Sequence, residues 1–464
     1  MRLTGLLAVL ALVSWSQGPL ASAETPATAD KGGPPSLASL VEEAVAQSAE
    51  LAGLQARIEA AEAMVGPARA RPDPMASVGL VNIPVNAGIR LDQDAMSGLE
   101  LMYSQELTRG QKRRLRGETQ QREAEALRAR YEITSNSIVR QVKQAYYDLQ
   151  YLNEALAITE QNKQLASDIL KTAESRYATG KVMQQDVFQS QVQLSRMMDS
   201  LLSLQRQRET AATQLNRLLY RPAAQPVPAF APLERSELSD ETKAGLEALK
   251  ERNARLRELA VRYQQAETQV RLAQAERRPD YTVSAGYMVR QEVGMDPMTG
   301  MDMWSARLGI GLPWLNRNKY DQQVKAAEAL QKAAEADLRA DTNSISARIQ
   351  QLLAETRVEE DRIALVETGL LPQAEGAVAA SRSAYATGKL QILAVLDNQM
   401  NFYSLQLERV GLVRDREQRM AGLEYEVKGS LPTGVGMGGT EGTAMERIGG
   451  AMSAGAAEPN AGPM

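Results

Sequence analysis

The sequence predicts a mainly α-helical, internally duplicated chain whose long helical hairpins are combined with four strands of a transmembrane β-barrel. Two motifs of different chemistry indicate the duplication. Tyr-Ala-Thr-Gly-Lys at residues 177–181 returns at 385–389, and Arg-Pro-Asp at 71–73 returns at 278–280. The offsets of 208 and 207 residues are too long for the common solenoid periods. Each half also changes from helical periodicity to strict alternation and back, which predicts helices and strands in the same order twice.

The N-terminus has the pattern of an export signal. Arg2 precedes an apolar run over 6–15, and Ala-Ser-Ala at 21–23 supplies the small residues of a cleavage site. The apolar run is too short to span a membrane. We therefore expect residues 1–23 to be a signal peptide and 24–35 to be a flexible N-terminal segment.

The composition excludes several classes of function. The 464 residues include no cysteine and no histidine, which excludes disulfides, imidazole acid–base catalysis and the commonest transition-metal sites. The net charge of −4 is a mild acidity that does not favour a nucleic-acid partner. Only 4% of the residues are aromatic, which favours long helices packed as in coiled coils. We expect no catalytic residues, no cofactor and no enzymatic activity.

The first repeat is predicted over 36–220. It consists of an amphipathic helix over 36–70, a strand pair over 75–107 and a helical hairpin over 112–219. Residues 112–175 contain no proline and a single glycine, and their apolar residues recur every three or four positions on two flanks. A helix of this length extends roughly 95 Å at about 1.5 Å per residue. Its two apolar flanks predict neighbours on both sides, as in a closed ring of helices.

The second repeat is predicted over 240–428. A helix over 240–277 is followed by a strand pair over 281–313 and a helical hairpin over 316–427. Gly369 and the nearby Pro372 predict an interruption in the first helix of this hairpin.

The remaining segments are turns and linkers. Gly180 and Gly388 suit the left-handed residue that ends a helix, so each long helix is expected to stop at its Tyr-Ala-Thr-Gly-Lys motif. Residues 221–239 are rich in proline and predict an extended crossover between the repeats. Residues 429–464 have little to bury, and we expect them to be disordered.

The strand segments 281–290 and 303–312 alternate between apolar and small or polar residues, with Arg290 and Arg307 on the polar side only. Strands of about ten residues with an apolar face are typical of transmembrane β-barrels. Four strands cannot close a barrel, so several chains must pool them: two would give eight strands and three would give twelve. The alternative is two half-buried hairpins in a soluble domain. The predicted lipid-facing residues are Trp304, Leu308, Ile310 and Leu312.

These features together resemble the TolC-type outer membrane factors over residues 36–428. The most specific motifs are the two glycine turns and the Leu-Pro-Trp at 312–314 that closes a strand. The resemblance implies a homotrimer with a twelve-stranded barrel in outer membrane lipid and a long α-barrel in the periplasm. It implies an exit duct that works with a periplasmic adaptor (membrane fusion protein) and an inner-membrane transporter. Region 281–314 is most similar to the heavy-metal efflux branch, which implies an RND-type pump.

The resemblance also implies functional sites at the tips of the hairpins. Residues expected to contact the adaptor are Tyr177, Gly180, Lys181, Tyr385, Gly388 and Lys389. Asp186 and Tyr385 are expected to hold the tip closed, and Asp397 to line its constriction. Leu390 and Ala394 stand where related gates have a basic residue and a second acidic residue. The alternative for Asp186 and Asp397 is that they cap helix starts.

Two further groups of side chains are candidate ligand sites. Thioethers suit Cu(I) or Ag(I), which makes a methionine-rich loop a candidate metal site; the alternative is adaptable apolar filler. Its residues are Met295, Met298, Met301 and Met303. Basic residues at the strand–helix junctions are candidates to bind anionic headgroups of the inner leaflet, or else form a solvated collar. These residues are Arg109, Lys112, Arg113, Arg114, Arg317 and Lys319.

The sequence leaves three functions open. The first is an outer-membrane duct for heavy-metal ions, and the second is a duct for drugs or for type I protein secretion. The third is a periplasmic coiled-coil scaffold without a barrel. The placement of Arg290 and Arg307 on the polar side of the strands disfavours the scaffold.

Overall fold

The computed structural model describes residues 36–85, 91, 94–228, 230, 232–233, 235–236, 253–292 and 300–427. The predicted signal peptide 1–23, the N-terminal segment 24–35 and the tail 429–464 lie outside the described residues. So do residues 240–252 of the second amphipathic helix and residues 237–239 of the crossover.

The first repeat contains one of the longest helices of the described chain. Its helices are α1 (Leu37–Gln47), α2 (Ala49–Ala63), α3 (Val65–Arg69), α4 (Gly110–Ala178) and α5 (Gln184–Leu218). Helix α4 has 69 residues, which corresponds to about 100 Å. The expectation of a single helix over 36–70 is wrong, because Ser48 has an extended backbone and its side chain accepts a hydrogen bond from the backbone N–H of Leu51. Ser48 thus ends α1 and caps the start of α2.

The second repeat follows the same order. Its helices are α6 (Ala254–Glu276), α7 (Arg317–Leu365), α8 (Leu371–Ala386) and α9 (Ile392–Val427). A short 3₁₀ turn, Pro313–Asn316, precedes α7. The interruption expected near Gly369 is a π-helical turn, Val366–Leu370, which joins α7 to α8 without ending the helical path. Such π turns are single-turn departures from α geometry and often lie near functional regions.

The four strands form one antiparallel sheet in the order β1-β2-β3-β4, with β1 and β4 at its edges. The strands are β1 (Met75–Val81), β2 (Gly98–Leu107), β3 (Tyr281–Arg290) and β4 (Met303–Ile310). The two hairpins are joined through β2 and β3, where Leu107 lies opposite Tyr281. Within the described residues, no helix is both long enough and apolar enough to cross a lipid bilayer.

The register of the sheet separates apolar from polar side chains. Val78 lies opposite Leu101, Leu101 opposite Tyr287, and Tyr287 opposite Trp304, so one face is apolar across all four strands. The other face carries small and polar residues, including Glu100 of β2 and Arg307 of β4, which form an ion pair at 3.1 Å. Gly286 leaves room for this pair, since a Cβ there would lie 3.2 Å from Glu100 Oε1. Because side chains alternate along a strand, a slip of one residue would exchange the two faces.

The helices are held together along α4. Helix α4 packs against α1 to α3, α5, α6 and α9, and α7 packs against α6 and α9. The largest apolar cluster joins α1 and α4 to the crossover, where the Phe230 ring lies 4.6 Å from that of Tyr146. A second cluster joins α7 to α9 through Ile349, Leu352 and Leu423. The two repeats are therefore packed against each other, with α4 and α9 as neighbours.

Candidate gate at the helical tips

The glycine turns lie at the end of the helices far from the sheet. Strand β2 ends at Leu107 and α4 begins at Gly110, so the sheet adjoins the start of α4. The turn between α4 and α5 follows 69 residues later, about 100 Å along the helix. The turn between α8 and α9 packs beside it, since Ile169 of α4 and Ile392 of α9 share one apolar cluster.

Both turns have the same backbone structure. Gly180 and Gly388 have φ values of 66° and 80°, in the left-handed region. Gly180 donates to the carbonyl of Tyr177 and Lys181 donates to that of Arg176, each at 2.9 Å. Gly388 and Lys389 make the same pair of bonds in the second repeat, also at 2.9 Å. These are the paired bonds of a Schellman motif, which satisfy the last carbonyls of a helix and need a left-handed residue.

The tyrosines of the two turns have different surroundings. Tyr177 is 47% exposed, whereas Tyr385 is 2% exposed and belongs to the apolar cluster that contains Ile169 and Ile392. The Tyr385 hydroxyl donates to Asp186 Oδ2 at 3.3 Å, which ties α8 to the first turn of α5. Burial and the nearby Asp186 carboxylate raise the pKa of Tyr385 to about 12. The phenol is therefore protonated near neutral pH and remains a donor to Asp186.

Arg176 completes this cluster and was not identified from the sequence. Its guanidinium donates to the Tyr385 carbonyl and lies 4.5 Å from the centre of the Tyr385 ring. Arg176 also packs on the second turn, since a Cβ at Gly388 would lie 3.1 Å from Arg176 Nη2. The cluster of Arg176, Tyr385 and Asp186, here called the tip cluster, thus joins both repeats.

Leu390, which stands where related gates have a basic residue, has apolar surroundings. Leu390 packs against the tip apolar cluster instead of presenting a cation. In the described chain, the cation that contacts Tyr385 comes from Arg176 of the other repeat. A basic residue at position 390 is therefore not needed to bring a positive charge to this tyrosine.

Neither acidic tip residue caps a helix. Met183 is the N-cap of α5, and Asp186 lies in its first turn, where a negative charge is favourable. Asp397 is the sixth residue of α9, is exposed, and makes no hydrogen bond or ion pair to the residues that the structure describes. The capping alternative is therefore wrong for both residues.

Polar contacts continue behind the tip between α4 and α9. Thr159 and Tyr403 share a hydrogen bond at 3.0 Å, and Asn162 Nδ2 donates to Gln406 Oε1 at 2.7 Å. The Gln399 amide donates to the carbonyl of Asn162 at 3.0 Å. Buried polar groups of this kind fix one alignment of two helices, because sliding would leave them without partners. They hold the two repeats in a defined position next to the tip.

The basic collar is only partly exposed. Lys112 is 2% exposed, and its ammonium donates to Asp280 Oδ2 at 2.6 Å and to the carbonyl of Arg278 at 2.8 Å. Its expected role as a headgroup ligand is therefore wrong, since the compensating charge comes from the chain itself. Arg109 is half-buried and donates to the carbonyl of Pro279, and Arg113 donates to that of Thr108. The exposed members of the collar are Arg114, Arg317 and Lys319.

The methionine loop is described only in part. Met295 and Met298 lie outside the described residues, whereas Met301 is exposed and Met303 begins β4. Met303 lies opposite Met288 of β3, on the polar face of the sheet. The register places Met75 and Met102 on this face as well. Among the described residues, no group of three or more carboxylates could hold a metal ion.

Replacement of the turn glycines by alanine should destabilise the tips in a defined order. Gly388→Ala is expected to cost most, because the left-handed backbone costs roughly 1–2 kcal/mol and the new Cβ also presses on Arg176. Gly180→Ala should cost only the backbone penalty, since no atom of the described residues lies within 4 Å of the position of its Cβ. Gly376→Ala, in the open on α8, is the matched control and should stabilise by up to about 1 kcal/mol. Thermal unfolding of the three variants would contradict this account if Gly388→Ala proved the mildest.

A comparison with protein-family models identifies one family. The family model described as "Outer membrane efflux protein" matches residues 40–219 and 245–425, which is most of the chain and both repeats. No curated protein matches the chain.

Several solved structures are similar over most of the chain. The outer membrane protein VceC of Vibrio cholerae has a TM-score of 0.71 at 22% identity, covering 85% of this chain and 97% of that one. CusC has a TM-score of 0.72 at 17% identity, covering 85% and 92%. The open state of the MtrE outer membrane channel of Neisseria gonorrhoeae has a TM-score of 0.69 at 17% identity, covering 85% and 89%. At these identities the matches establish the fold.

Proposed function

Because the chain belongs to the outer membrane efflux protein family, we propose that it is the outer-membrane exit duct of a tripartite efflux system. Members of this family are transport ducts, so the chain is not an enzyme. In the proposal, the sheet lies in the outer membrane and the helical hairpins extend from it into the periplasm.

The exposed apolar face of the sheet is the observation that carries this proposal. Trp304 is 80% exposed and Leu308 is 67% exposed, and the register continues the same face to Val78 of β1. An apolar patch of this extent is rare on a soluble monomer and is typical of a surface in contact with lipid or protein. This favours lipid contact for Trp304, Leu308, Ile310 and Leu312 over two hairpins in a soluble domain.

The number of strands supports a homotrimer. The sheet has two open edges, β1 and β4, and open edges are not tolerated in lipid because their backbone groups would have no partners. Closure needs about eight strands or more. Three copies supply twelve, the number that the family resemblance implies. The long helices of three chains would then form the wall of a water-filled tunnel.

The tip cluster supports gating at the periplasmic end. Its three residues join α4, α5 and α8, so its rupture would remove these polar contacts between the two hairpins at the tip itself. We propose that a periplasmic adaptor contacts the two turns, including Tyr177, Lys181 and Lys389, and shifts the hairpins outward. Asp397, exposed near the same tip, would line the constriction. Cargo then diffuses through the open duct, and the energy comes from an inner-membrane pump.

Heavy-metal ions are the proposed cargo, and an RND-type transporter the proposed pump. The support is the set of thioethers on the polar face of the sheet, which would face the lumen of the barrel. Met288 and Met303 are adjacent on this face, and Met301 lies in the loop that connects their strands. Thioethers favour soft ions such as Cu(I) and Ag(I). A duct for drugs or for type I protein secretion is the alternative, and a periplasmic scaffold would leave the apolar face without a function.

Growth of a strain that lacks this protein tests the cargo. The expected result is that the strain becomes sensitive to copper and silver, and that resistance is restored by the wild-type protein but not by Met288→Leu with Met303→Leu. Met64→Leu, an exposed methionine on the helical part, is the matched control and should restore growth fully. Sensitivity to drugs and detergents without any effect of metals would contradict the metal proposal and leave a general efflux duct.

A further inference from the structure

The second Arg-Pro-Asp motif joins the start of β3 to the start of α4. Asp280 Oδ1 accepts a hydrogen bond from the backbone N–H of Arg109 at 3.1 Å, and Oδ2 accepts one from Lys112 Nζ at 2.6 Å. Lys112 is buried by this contact. The Asp280 carbonyl accepts from the backbone N–H of Gly311 at 3.0 Å. This aspartate therefore fastens the β2–β3 pair, which links the two repeats, to the helix that follows β2.

The first copy of the motif has no such contact. Asp73 precedes the edge strand β1, is exposed, and makes no hydrogen bond or ion pair to the described residues. The cations at the start of α7 are likewise exposed. Arg317 is 86% exposed and its only ion pair in the described chain is with Asp321 at 3.6 Å, one turn further along α7. Lys319 lies over the neighbouring Tyr320 ring at 5.4 Å.

The internal duplication identifies what these groups correspond to. The two Arg-Pro-Asp motifs are 207 residues apart, so Met75 of β1 corresponds to Thr282 of β3. Met75 lies opposite Ser104 of β2, and Thr282 lies opposite Gly309 of β4. Residues of β2 and β4 therefore correspond at an offset of 205. The same offset relates Lys112 to Arg317. Measured instead from the helix starts at Gly110 and Arg317, Lys112 corresponds to Lys319. Both ways of counting place a cation where the partner of Asp73 is required.

We propose that Asp73 binds the basic start of α7 in a second copy of this chain, and that β1 and β4 of the two copies pair antiparallel in the register of β2 and β3. This inference rests on the proposed oligomeric duct. The contact between Asp280 and Lys112 then recurs between chains as Asp73 with Arg317 or Lys319. In this arrangement, the exposed Asp73 and the exposed cations at the start of α7 serve one purpose, which is to join two chains.

The two faces of the sheet agree with this register. Leu107 of β2 lies opposite Tyr281 of β3. Leu312 corresponds to Leu107 at the offset of 205, and Pro74 corresponds to Tyr281 at the offset of 207, so Leu312 should lie opposite Pro74. Because the strands are antiparallel, Val78 then lies opposite Leu308. Ala76 then lies opposite Ile310, and Leu80 opposite Ala306. All these residues are on the apolar face in the isolated chain. A slip by one residue would place apolar side chains opposite Gly309 and Arg307, on the wrong face.

Engineered cysteines test the register without background, because the chain has no cysteine of its own. Val78→Cys with Leu308→Cys in the full-length protein should form disulfides between chains, seen as covalent oligomers on a non-reducing gel. Val78→Cys with Arg307→Cys is the control, one residue out of register and on opposite faces, and should remain monomeric on the same gel. Cross-linking of the control pair, or of neither pair, would overturn the proposed register.

Charge reversal tests the aspartate contact. Asp73→Arg should weaken the detergent-solubilised oligomer, so that about tenfold more protein is needed to maintain it. Combining Asp73→Arg with Arg317→Asp or with Lys319→Asp should restore assembly. Combining Asp73→Arg with Asp321→Arg, the control, should not. Failure of both reversals to rescue, or assembly that is unaffected by Asp73→Arg, would overturn the contact. Light scattering of the wild type distinguishes failure of the proposed duct from failure of the proposed register. A monomer would contradict the duct itself, whereas a trimer with no disulfide between positions 78 and 308 would contradict only the register.

Discussion

Leu308→Arg is expected to prevent this protein from accumulating in the outer membrane. Leu308 projects from the apolar face of edge strand β4 and lies opposite Val283. An arginine on the lipid side near the middle of a bilayer costs about 2–4 kcal/mol, and each copy in an assembly would incur that cost. We expect the amount of protein in outer-membrane fractions to fall to about a tenth of the wild-type level or less.

Gly309→Arg is the matched control for Leu308→Arg. It introduces the same side chain one position along the strand, on the polar face, where the described residue nearest to a new Cβ is Thr282, at 3.5 Å. Because this face would line a water-filled lumen, Gly309→Arg should assemble at nearly the wild-type level. Quantitative immunoblots of membrane fractions distinguish the variants. Equal loss of both would contradict the assignment of lipid and lumen faces, since it would reflect damage to the strand in general.

The strands were predictable because their signal is local. Residues 281–290 alternate strictly, and β3 covers the same residues in the structure. The glycine turns were predictable for a similar reason, since a left-handed residue after a long helix strongly favours glycine. The break at Ser48 was not, because serine is compatible with both a helix interior and a cap, and its choice depends on where α1 and α2 pack along α4.

The parts of the site that were missed depend on contacts distant in sequence. Arg176 precedes the first glycine turn, but its partner Tyr385 is 209 residues away, and Ala384 occupies the corresponding position of the second repeat. Lys112 resembled an exposed cation because its partner Asp280 is 168 residues away. Neither pairing has a periodicity that could reveal it. The internal duplication can predict a contact of this kind in one repeat only when the corresponding contact of the other repeat is already known.

Arg176→Ala is expected to open the tip of the duct. The change removes the hydrogen bond to the Tyr385 carbonyl and the contact with its ring. A hydrogen bond from a charged group contributes about 1.5–3 kcal/mol, and a cation–π contact contributes roughly 0.5–2 kcal/mol. If the closed tip depends on these contacts, the ratio of open to closed channels should rise about tenfold or more. Conductance of the purified protein in planar bilayers measures this ratio, and susceptibility of cells to a large antibiotic that the outer membrane normally excludes provides a second readout.

The size of the effect should follow the contacts that each variant removes. Tyr385→Phe loses only the 3.3 Å hydrogen bond to Asp186 and keeps the ring under Arg176, so its conductance should rise less than that of Arg176→Ala. Arg176→Lys retains the charge but not the planar guanidinium that reaches both carbonyl and ring, and should be intermediate. Lys171→Ala is the control, because among the described residues the only ion pair of Lys171 is with Asp168 on its own helix. A closed, wild-type conductance in Arg176→Ala would show that the tip cluster does not hold the gate. The variant should still form both turns, because their hydrogen bonds join backbone atoms only.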